Sequence, residues 1–510
     1  MVIVLAGLIQ LAWIAMTIVL VYRYSIHINT IVLYLSAVLV IAILNSRMNP
    51  AYKLTWTITI MLVPVFGLLM YLVFGQSAFS RRMMKRQSGA LPRVSECLPE
   101  KEEVREMLGK LDGGTFLPQS DLIRRTIGYP VFTDCGTAYY ARAKDAMPDI
   151  MEAVRSAKKY IFLEYFIIDS GALWKSLHGL LLEKVREGVD VRVLYDDLGS
   201  AGKLSRHYDH TLAGEGIRCC RFNPVHLVNS MRINNRDHRK ILVTDGTCAF
   251  VGGFNMADEY IGIRRPFGDW KDAGVRITGE AALGFAVMFL EMWAAVSGEK
   301  EDLARYTVKI GQGGGKAGRT LAGRENPGTG FVQPYSDSPL DDTFTSQSVI
   351  LNLIGHAKRS IRIFTPYLVL DNEIMTALCV AASGGVSVRI FTPGVPDKKT
   401  VFLMTQSYYR QLLEAGAEIL EYTPGFLHSK VILVDDIAAS VGSVNLDFRS
   451  LYLHYECGVL LFGTPCVEEI RKDFERTAAV SRQITLSFCL NRSFVIRFIQ
   501  AFFRIAAPLL

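Results

Sequence analysis

Apolar residues follow two alternating patterns along most of the chain. Short continuous runs of β-branched and aromatic residues read as buried strands, and longer stretches carrying an apolar stripe at helical spacing read as helices. Ala146 to Lys158 is an amphipathic helix leading into the strand Tyr160 to Ile168. Leu173 to Glu187 is a second helix, ended by Gly188, and Val189 to Tyr195 is the next strand. The stretch Asp196-Asp197-Leu198-Gly199-Ser200 after it is a turn by composition, and strand ends of this kind line sites in α/β proteins.

The scheme then repeats. Ala357 to Leu368 matches the strand near 160, and G-V-S-V-R-I (Gly385 to Ile390) matches G-V-D-V-R-V (Gly188 to Val193). Gly416 to Pro424 follows Gly216 to Pro224 at a distance of 200 residues (216 to 416). The first copy inserts ten extra residues before its histidine, Pro224 to His238 against Pro424 to His428. A helix closes each half, Glu280 to Val296 and Val467 to about Ile484. The pattern predicts an α/β protein of two pseudo-symmetric halves, 125–310 and 331–488, with mixed sheets flanked by helices. Between them, residues 311–330 are glycine-rich without apolar periodicity and read as a linker. No G-K-[ST] follows those glycines and no strand precedes them, which excludes a phosphate-binding loop.

The ends depart from this pattern. Met1 to Tyr22, Ile28 to Ser46 and Leu54 to Ser80 carry no charged residue, and the third contains Pro64 and Gly67. Such runs predict about three transmembrane helices within residues 1–80. Arg81, Arg82, Lys85 and Arg86 at the exit of the third run place it on the cytoplasmic side, while Arg47 and Lys53 pull the other way. Residues 81–124 read as a helix-prone connector broken by Pro92, Pro99 and Gly113-Gly114. The tail, 489–510, mixes Arg492, Arg497 and Arg504 with Phe494, Ile496, Phe498, Ile499, Phe502 and Phe503. That amphipathic stretch suits a membrane interface, or docking on the protein's own core.

Composition adds little to this picture. Mean hydropathy of +0.23 reflects the apolar N-terminus, and the net charge of +7 fits an anionic membrane or a phosphate-bearing substrate without naming either. The nine cysteines form no C-x-x-C pair and read as reduced residues, which excludes a disulfide framework or a structural zinc site.

The chemistry lies in a second duplication. His238 to Asn255 reads H-R-K-I-L-V-T-D-G-T-C-A-F-V-G-G-F-N, and His428 to Asn445 reads H-S-K-V-I-L-V-D-D-I-A-A-S-V-G-S-V-N. His, Lys, Asp, Gly and Asn recur at one distance of 190 residues (238 to 428). Each copy reads as a β-hairpin, so each His and its Lys at i and i+2 share a face. The candidate catalytic residues are His238, Lys240, Asp245, His428, Lys430 and Asp435. The two aspartates fall where the chain turns, and their first reading is as turn residues bonding backbone.

Two such faces suggest one composite site. Phosphodiester transfer needs a nucleophile, a proton donor for the leaving alcohol, and positive charge at the phosphoryl oxygens. Two histidines supply the first pair of roles, since imidazole titrates near neutral pH. Lys240 and Lys430 offset the phosphate charge, and Asn255, Asn445 and Ser443 donate hydrogen bonds to it, Gly253 standing where the first half would have its serine. Asp272 and Glu456, each opening the strand after its motif, are expected to hold the imidazole of their own half. No carboxylate cluster suggests a metal, and no cofactor is expected. The residues leave open which histidine attacks.

The duplicated H-x-K-x4-D with G-x-x-N resembles the phospholipase D superfamily. N-x-R-x-H-R-K (Asn234 to Lys240), G-G-F-N-M-A-D-E-Y (Gly252 to Tyr260) and F-L-H-S-K around the start of the second copy (Phe426 to Lys430) are similar to bacterial cardiolipin synthases. So is N-P-x5-W with P-x-x-G-x3-Y-x-x-F-G, from Asn49 to Gly75. The resemblance implies a phosphohistidine intermediate, two turnover steps and no metal, with His238 as nucleophile and His428 as general acid. It implies a multi-pass enzyme of the cell membrane, its catalytic halves cytoplasmic, that makes cardiolipin and glycerol from two phosphatidylglycerol molecules. Phosphatidylglycerol, other anionic phospholipids and the membrane are the implied partners, with no nucleic acid; oligomeric state stays open. A hydrolytic phospholipase D with the same residues is the alternative. One departure is local: near Gln333 to Pro339 the family usually carries S-G-P, and this chain reads Q-P-Y-S-D-S-P.

Overall fold

Strands buried on both faces need helices on both faces, and the chain supplies them in alternation. The computed structural model describes residues 10–13, 16, 25–46, 48–74, 94–224, 234–300, 306, 329–341 and 343–509. The first half contributes β1 (Gly136–Tyr140), β2 (Tyr160–Tyr165), β3 (Asp190–Asp196), β4 (Arg218–Phe222), β5 (Lys240–Thr244), β6 (Cys248–Gly252), β7 (Asp269–Lys271) and β8 (Gly274–Thr278). All but β7 join one sheet in the order β1-β8-β6-β5-β2-β3-β4. The second half contributes β9 (Phe331–Asp337), β10 (Ser360–Phe364), β11 (Ser387–Pro393), β12 (Glu418–Tyr422), β13 (Gly425–Leu427), β14 (Val431–Val434), β15 (Ala438–Gly442), β16 (Glu456–Phe462) and β17 (Ser481–Ile484). Its sheet runs β17-β12-β11-β10-β14-β15-β16-β9. Read from the β9 edge, this repeats the first sheet strand for strand and adds β17.

The sheets are mixed. β2, β3 and β4 are parallel, as are β10, β11 and β12, while the hairpins β5–β6 and β14–β15 pair antiparallel. The helix Ala281–Ser297 is buried along nearly its whole length. It packs on the first sheet, with Phe289 stacked 4.6 Å from Phe162, and also against β9 of the second. β6 and β8 meet β15 and β16, which brings the two hairpins face to face.

Two stretches differ from expectation. The helix expected from Val467 to Ile484 ends at Ala479, and Ser481–Ile484 returns as β17 beside β12. Ile484 is buried there while Arg482 and Gln483 are exposed, and the short strand covers what would be an open edge of β12. Gln333 to Asp337, where the chain departs from the family pattern, forms the last five residues of β9, with Gln333 Nε2 donating to Ser120 O and Tyr129 O at 3.1 and 3.0 Å. The third apolar run is not one helix but two, Pro50–Leu62 and Pro64–Phe74. Pro64 drives Val63 out of helical geometry, to φ −137° and ψ 76°.

The helix Pro50–Leu62 docks on the second half. Tyr52, Thr55, Trp56 and Ile60 are buried, and Tyr52 meets Phe448 and Tyr452 edge-on at 5.8 and 5.9 Å. Asn49 Nδ2 donates to Tyr452 Oη at 2.7 Å. The second apolar run forms the helix Ser25–Leu44. Among the described residues, no helix is long and apolar enough to cross a membrane. Most of the first run, the Arg81–Arg86 cluster and residues 311–328 lie outside the described residues. All nine cysteines are free, and Cys219 and Cys220 sit half-buried in β4.

Candidate active site

Each candidate histidine is delivered by a short extended segment that pairs with the other half of the molecule. β13 runs parallel to β7 with Leu427 opposite Lys271, and one step further along that register His428 stands opposite Asp272. In the same way Asp237 bridges Tyr455, and the next step sets His238 opposite Glu456. His428 N donates to Lys271 O at 2.7 Å, and His238 N donates to Tyr455 O at 2.9 Å. The carboxylates therefore reach the imidazoles across the interface. Glu456 accepts from His238 Nδ1 at 2.9 Å, and Asp272 lies 2.5 Å from His428 Nδ1. The expected own-half pairing is corrected: each acid holds the histidine of the opposite half. Its cause is the exchange of segments between halves, which local sequence does not display.

The two acids differ in length and in support. Ser443 Oγ donates to Glu456 Oε2 and accepts from Cys457 N at 3.0 Å. Its hydroxyl is thus engaged behind the imidazole, and the expectation that it donates to phosphate is corrected accordingly. At the matching position Gly253 leaves the room Asp272 occupies, since a Cβ there would stand 2.2 Å from Asp272 Oδ1. The repeated position of Gly252 and Gly442 has a related cause. A Cβ on either would meet Ala273 O or Cys457 O at 2.4 and 2.3 Å, next to the two acids.

Lys240 and Lys430 flank the histidines, each Nζ donating to the backbone carbonyl of the histidine two residues before it. Lys430 Nζ also lies 2.9 Å from His428 Nδ1 and 4.0 Å from Asp272. Burial, then the charges of Lys240, Lys430 and His428, hold the His238 imidazole well below its ordinary value. Burial and Lys430 push His428 down to about 4 against the opposing pull of Asp272. Burial lowers Lys240 to about 7 and Lys430 to about 8, with Glu456 and Asp272 opposing. Each half's charges act on the other's histidine, which makes this one site. Asn255 accepts from Ile167 N at 3.0 Å and donates to Tyr260 Oη at 2.6 Å, keeping one amide N–H uncommitted. Asn445 is buried, and its Oδ1 has no partner among the described residues.

Asp245 and Asp435 stand at the far end of their strands, about 17 Å from the lysine end at ~3.4 Å per residue. Both have positive φ, 53° and 54°, a region that aspartate tolerates. Asp435 accepts from the backbone N–H of Lys358, Arg359 and Ser360 at 2.7, 2.7 and 2.8 Å, and Asp245 does the same for Lys158, Lys159 and Tyr160. Their place among the catalytic candidates is corrected to that of turn residues starting β10 and β2. Asp435→Ala should lower unfolding stability by about 2–4 kcal/mol, through three charge-assisted bonds, while activity per folded molecule stays within a few-fold. Denaturant unfolding beside an activity assay checks this; lost turnover at unchanged stability would return Asp435 to the chemistry.

Several residues of the site escaped sequence reasoning. Asp196, raised to about 7 by burial, accepts from Asp237 N at 3.0 Å and pairs with Arg236 at 3.3 Å, fixing the segment before His238. The turn composition after β3 pointed to this region without naming the contact. His454 lies with its ring 5.5 Å from His238 and its Nδ1 3.8 Å from Glu456. Its first-half counterpart, 184 residues earlier (270 to 454), is Trp270, whose ring is 5.6 Å from His428. With Phe426 at 5.5 Å and Tyr260 at 5.7 Å, His428 is walled by three aromatic side chains, while His238 meets the ring of Phe166 edge-on at 5.0 Å beside that of His454. Among the described residues, His238, His454 and Glu456 bring atoms that could hold a metal ion within 4.8 Å of one another, as do the largely exposed His207, Asp209 and His210. The Glu456 carboxylate is already engaged by His238 and Ser443.

The chain is similar to known proteins over most of its length. A family model described as cardiolipin synthase, PLD-like domain, matches residues 150–265 and 350–478, and one described as phospholipase D-nuclease N-terminal matches residues 32–76. A cardiolipin synthase of Geobacillus kaustophilus is 35% identical over 491 residues, covering 94% of this chain and 93% of that protein. One of Halalkalibacterium halodurans is 34% identical over 473 residues, covering 92% and 91%. The crystal structure of a phosphatidylserine synthase of Haemophilus influenzae superposes with a TM-score of 0.57 at 16% identity, covering 77% of this chain and 98% of that one, a likeness of fold.

Proposed function

The chain belongs to the cardiolipin synthase family of phospholipase D-like enzymes, and on that premise we propose that it joins two phosphatidylglycerol molecules into cardiolipin and releases glycerol. One observation supports this function above the others: two histidines, each held at Nδ1 by a carboxylate of the opposite half, share a buried site with two lysines. An Nδ1–H donated to the acid leaves the Nε2 lone pair for chemistry.

In the first step His238 Nε2 attacks the phosphorus of one phosphatidylglycerol, and the P–O bond to the head-group glycerol breaks. His428 gives its proton to that leaving oxygen. In the second step a terminal hydroxyl of another phosphatidylglycerol attacks the phosphohistidine, neutral His428 takes its proton, and the P–N bond breaks. Lys240 and Lys430 stabilise the charge on the non-bridging oxygens, helped by the amide of Asn255 and by Asn445. A phosphodiester anion beside His428 opposes the two lysines and raises that imidazole from about 4, towards the protonated form the first step requires.

We place the reaction at a membrane face, because substrates and product are lipids and the N-terminal runs are apolar. Purified protein with phosphatidylglycerol alone should yield cardiolipin and glycerol in equal amounts by mass spectrometry. Phosphatidic acid as the sole phospholipid product would identify a hydrolase instead. Activity should also persist in EDTA, since the proposed charge stabilisation comes from lysines. Abolition, reversed by one specific divalent ion, would point to the His238–His454–Glu456 group as a metal site.

A further inference from the structure

The helix Phe494–Ala506 turns a broad apolar face outward. Gln500 is buried and donates to Leu403 O at 3.1 Å, and Arg504 lies 4.4 Å over the ring of Tyr408. The opposite face presents Phe494, Val495, Phe498 and Phe502 outward, with Phe498 and Phe502 each 64% exposed. A helix selected by water alone would be turned the other way. Beneath it, against the helix Lys399–Glu414, lies a cavity of about 210 Å³ lined by Arg410, Arg492, Arg497 and Arg504 together with Gln406 and Gln500. Arg410 is paired with Glu414 at 2.7 Å, and Arg492 donates to Gln406 at 2.6 Å. Arg497 has no side-chain partner among the described residues, and no acidic residue follows Glu475 in the sequence.

We propose that this cavity and helix form a binding site for an anionic phospholipid of the surrounding leaflet, separate from the catalytic site. The phosphate sits among Arg492, Arg497 and Arg504, and the acyl chains lie along the phenylalanine face. Charge selects the occupant: a site with a surplus of guanidinium groups takes a phosphodiester, and arginine is suited to its planar recognition. Continuity supports it too. Thr55 Oγ1 donates to Ile505 O at 3.2 Å, so the apolar face adjoins the helix Pro50–Leu62, whose Leu54, Met61 and Leu62 are also exposed. The inference extends the lipid-acting function to a site that performs no chemistry.

The full-length protein in detergent tests this by native mass spectrometry. It should retain one tightly held phosphatidylglycerol beyond those bound at the active site, and phosphatidylcholine should be held at least tenfold more weakly. The triple variant R492Q/R497Q/R504Q should lose that lipid. H238A should keep it, which separates failure here from failure of the proposed chemistry. In nanodiscs, Phe498→Trp should add a fluorescence component quenched by brominated phosphatidylglycerol; its exposed position tolerates the change. Equal retention by the triple variant, or equal affinity for phosphatidylcholine, would overturn the proposal. So would tight binding of inorganic phosphate alone by calorimetry, which would mark a free-anion site. A dimer abolished by Phe498→Ser, with no quenching in F498W, would assign the face to a second copy instead.

Discussion

Alanine at His238 or at His428 is expected to lower cardiolipin formation at least ~10²–10⁴-fold, the range for loss of a positioned acid–base group, with a greater loss where the nucleophile itself is removed. Both side chains are over nine-tenths buried at the junction of the halves, so unfolding transitions must be compared before the rates are read. A loss below tenfold in either folded variant would end the composite site. The two variants are not expected to fail alike. A phosphatidyl substrate with a p-nitrophenolate leaving group needs no protonation to depart. On it, H428A should still release a burst of nitrophenol and then stall, because the second step lacks its base. H238A should give no burst. The reverse pattern would exchange the roles, making His428 the nucleophile.

Much of this site was legible because it is duplicated. The 190-residue repeat of His, Lys, Gly and Asn outweighed any single motif, and alternation of buried strands with helices was enough to read two α/β halves. What stayed hidden lies between the halves. Asp272 and Glu456 were found from their place at the start of β8 and of β16, but they were given to the wrong histidines. Sequence proximity favours the acid nearest each motif, whereas the register of β7 with β13, and of Asp237 with Tyr455, is set by packing of distant segments. Ser443 misled for a similar reason: a hydroxyl near a phosphate site reads as a donor to phosphate until the carboxylate behind it is seen. His454 carried only a weak signal, two residues ahead of Glu456, and its meaning depends on the facing His238 ring. The split of the third apolar run at Val63 was written in Pro64, a residue that spanning helices also tolerate, so composition alone did not decide it.

Crossed pairing gives the acids separable effects. Glu456→Gln should impair His238, and Asp272→Asn should impair His428, although each acid lies in the opposite half from the histidine it serves. A glutamine amide facing Nδ1 favours the tautomer with its proton on Nε2, which removes the lone pair that attacks phosphorus. E456Q should therefore slow the nitrophenol burst itself, by about 10²–10⁴-fold if the cost matches that of a mis-set catalytic tautomer. D272N should leave the burst nearly intact on the activated substrate and slow the turnover that follows, because only then must His428 move a proton. On phosphatidylglycerol, whose glycerol needs a proton to leave, both variants should be slow. Ser443→Ala, which frees Glu456 Oε2 without displacing its other oxygen from His238 Nδ1, should share the E456Q pattern at smaller size. If D272N rather than E456Q abolished the burst while H238A still lacked one, each acid would be serving its own half. The cross-interface hydrogen bonds would then be structural, and the working site would have to form by a rearrangement of the two halves.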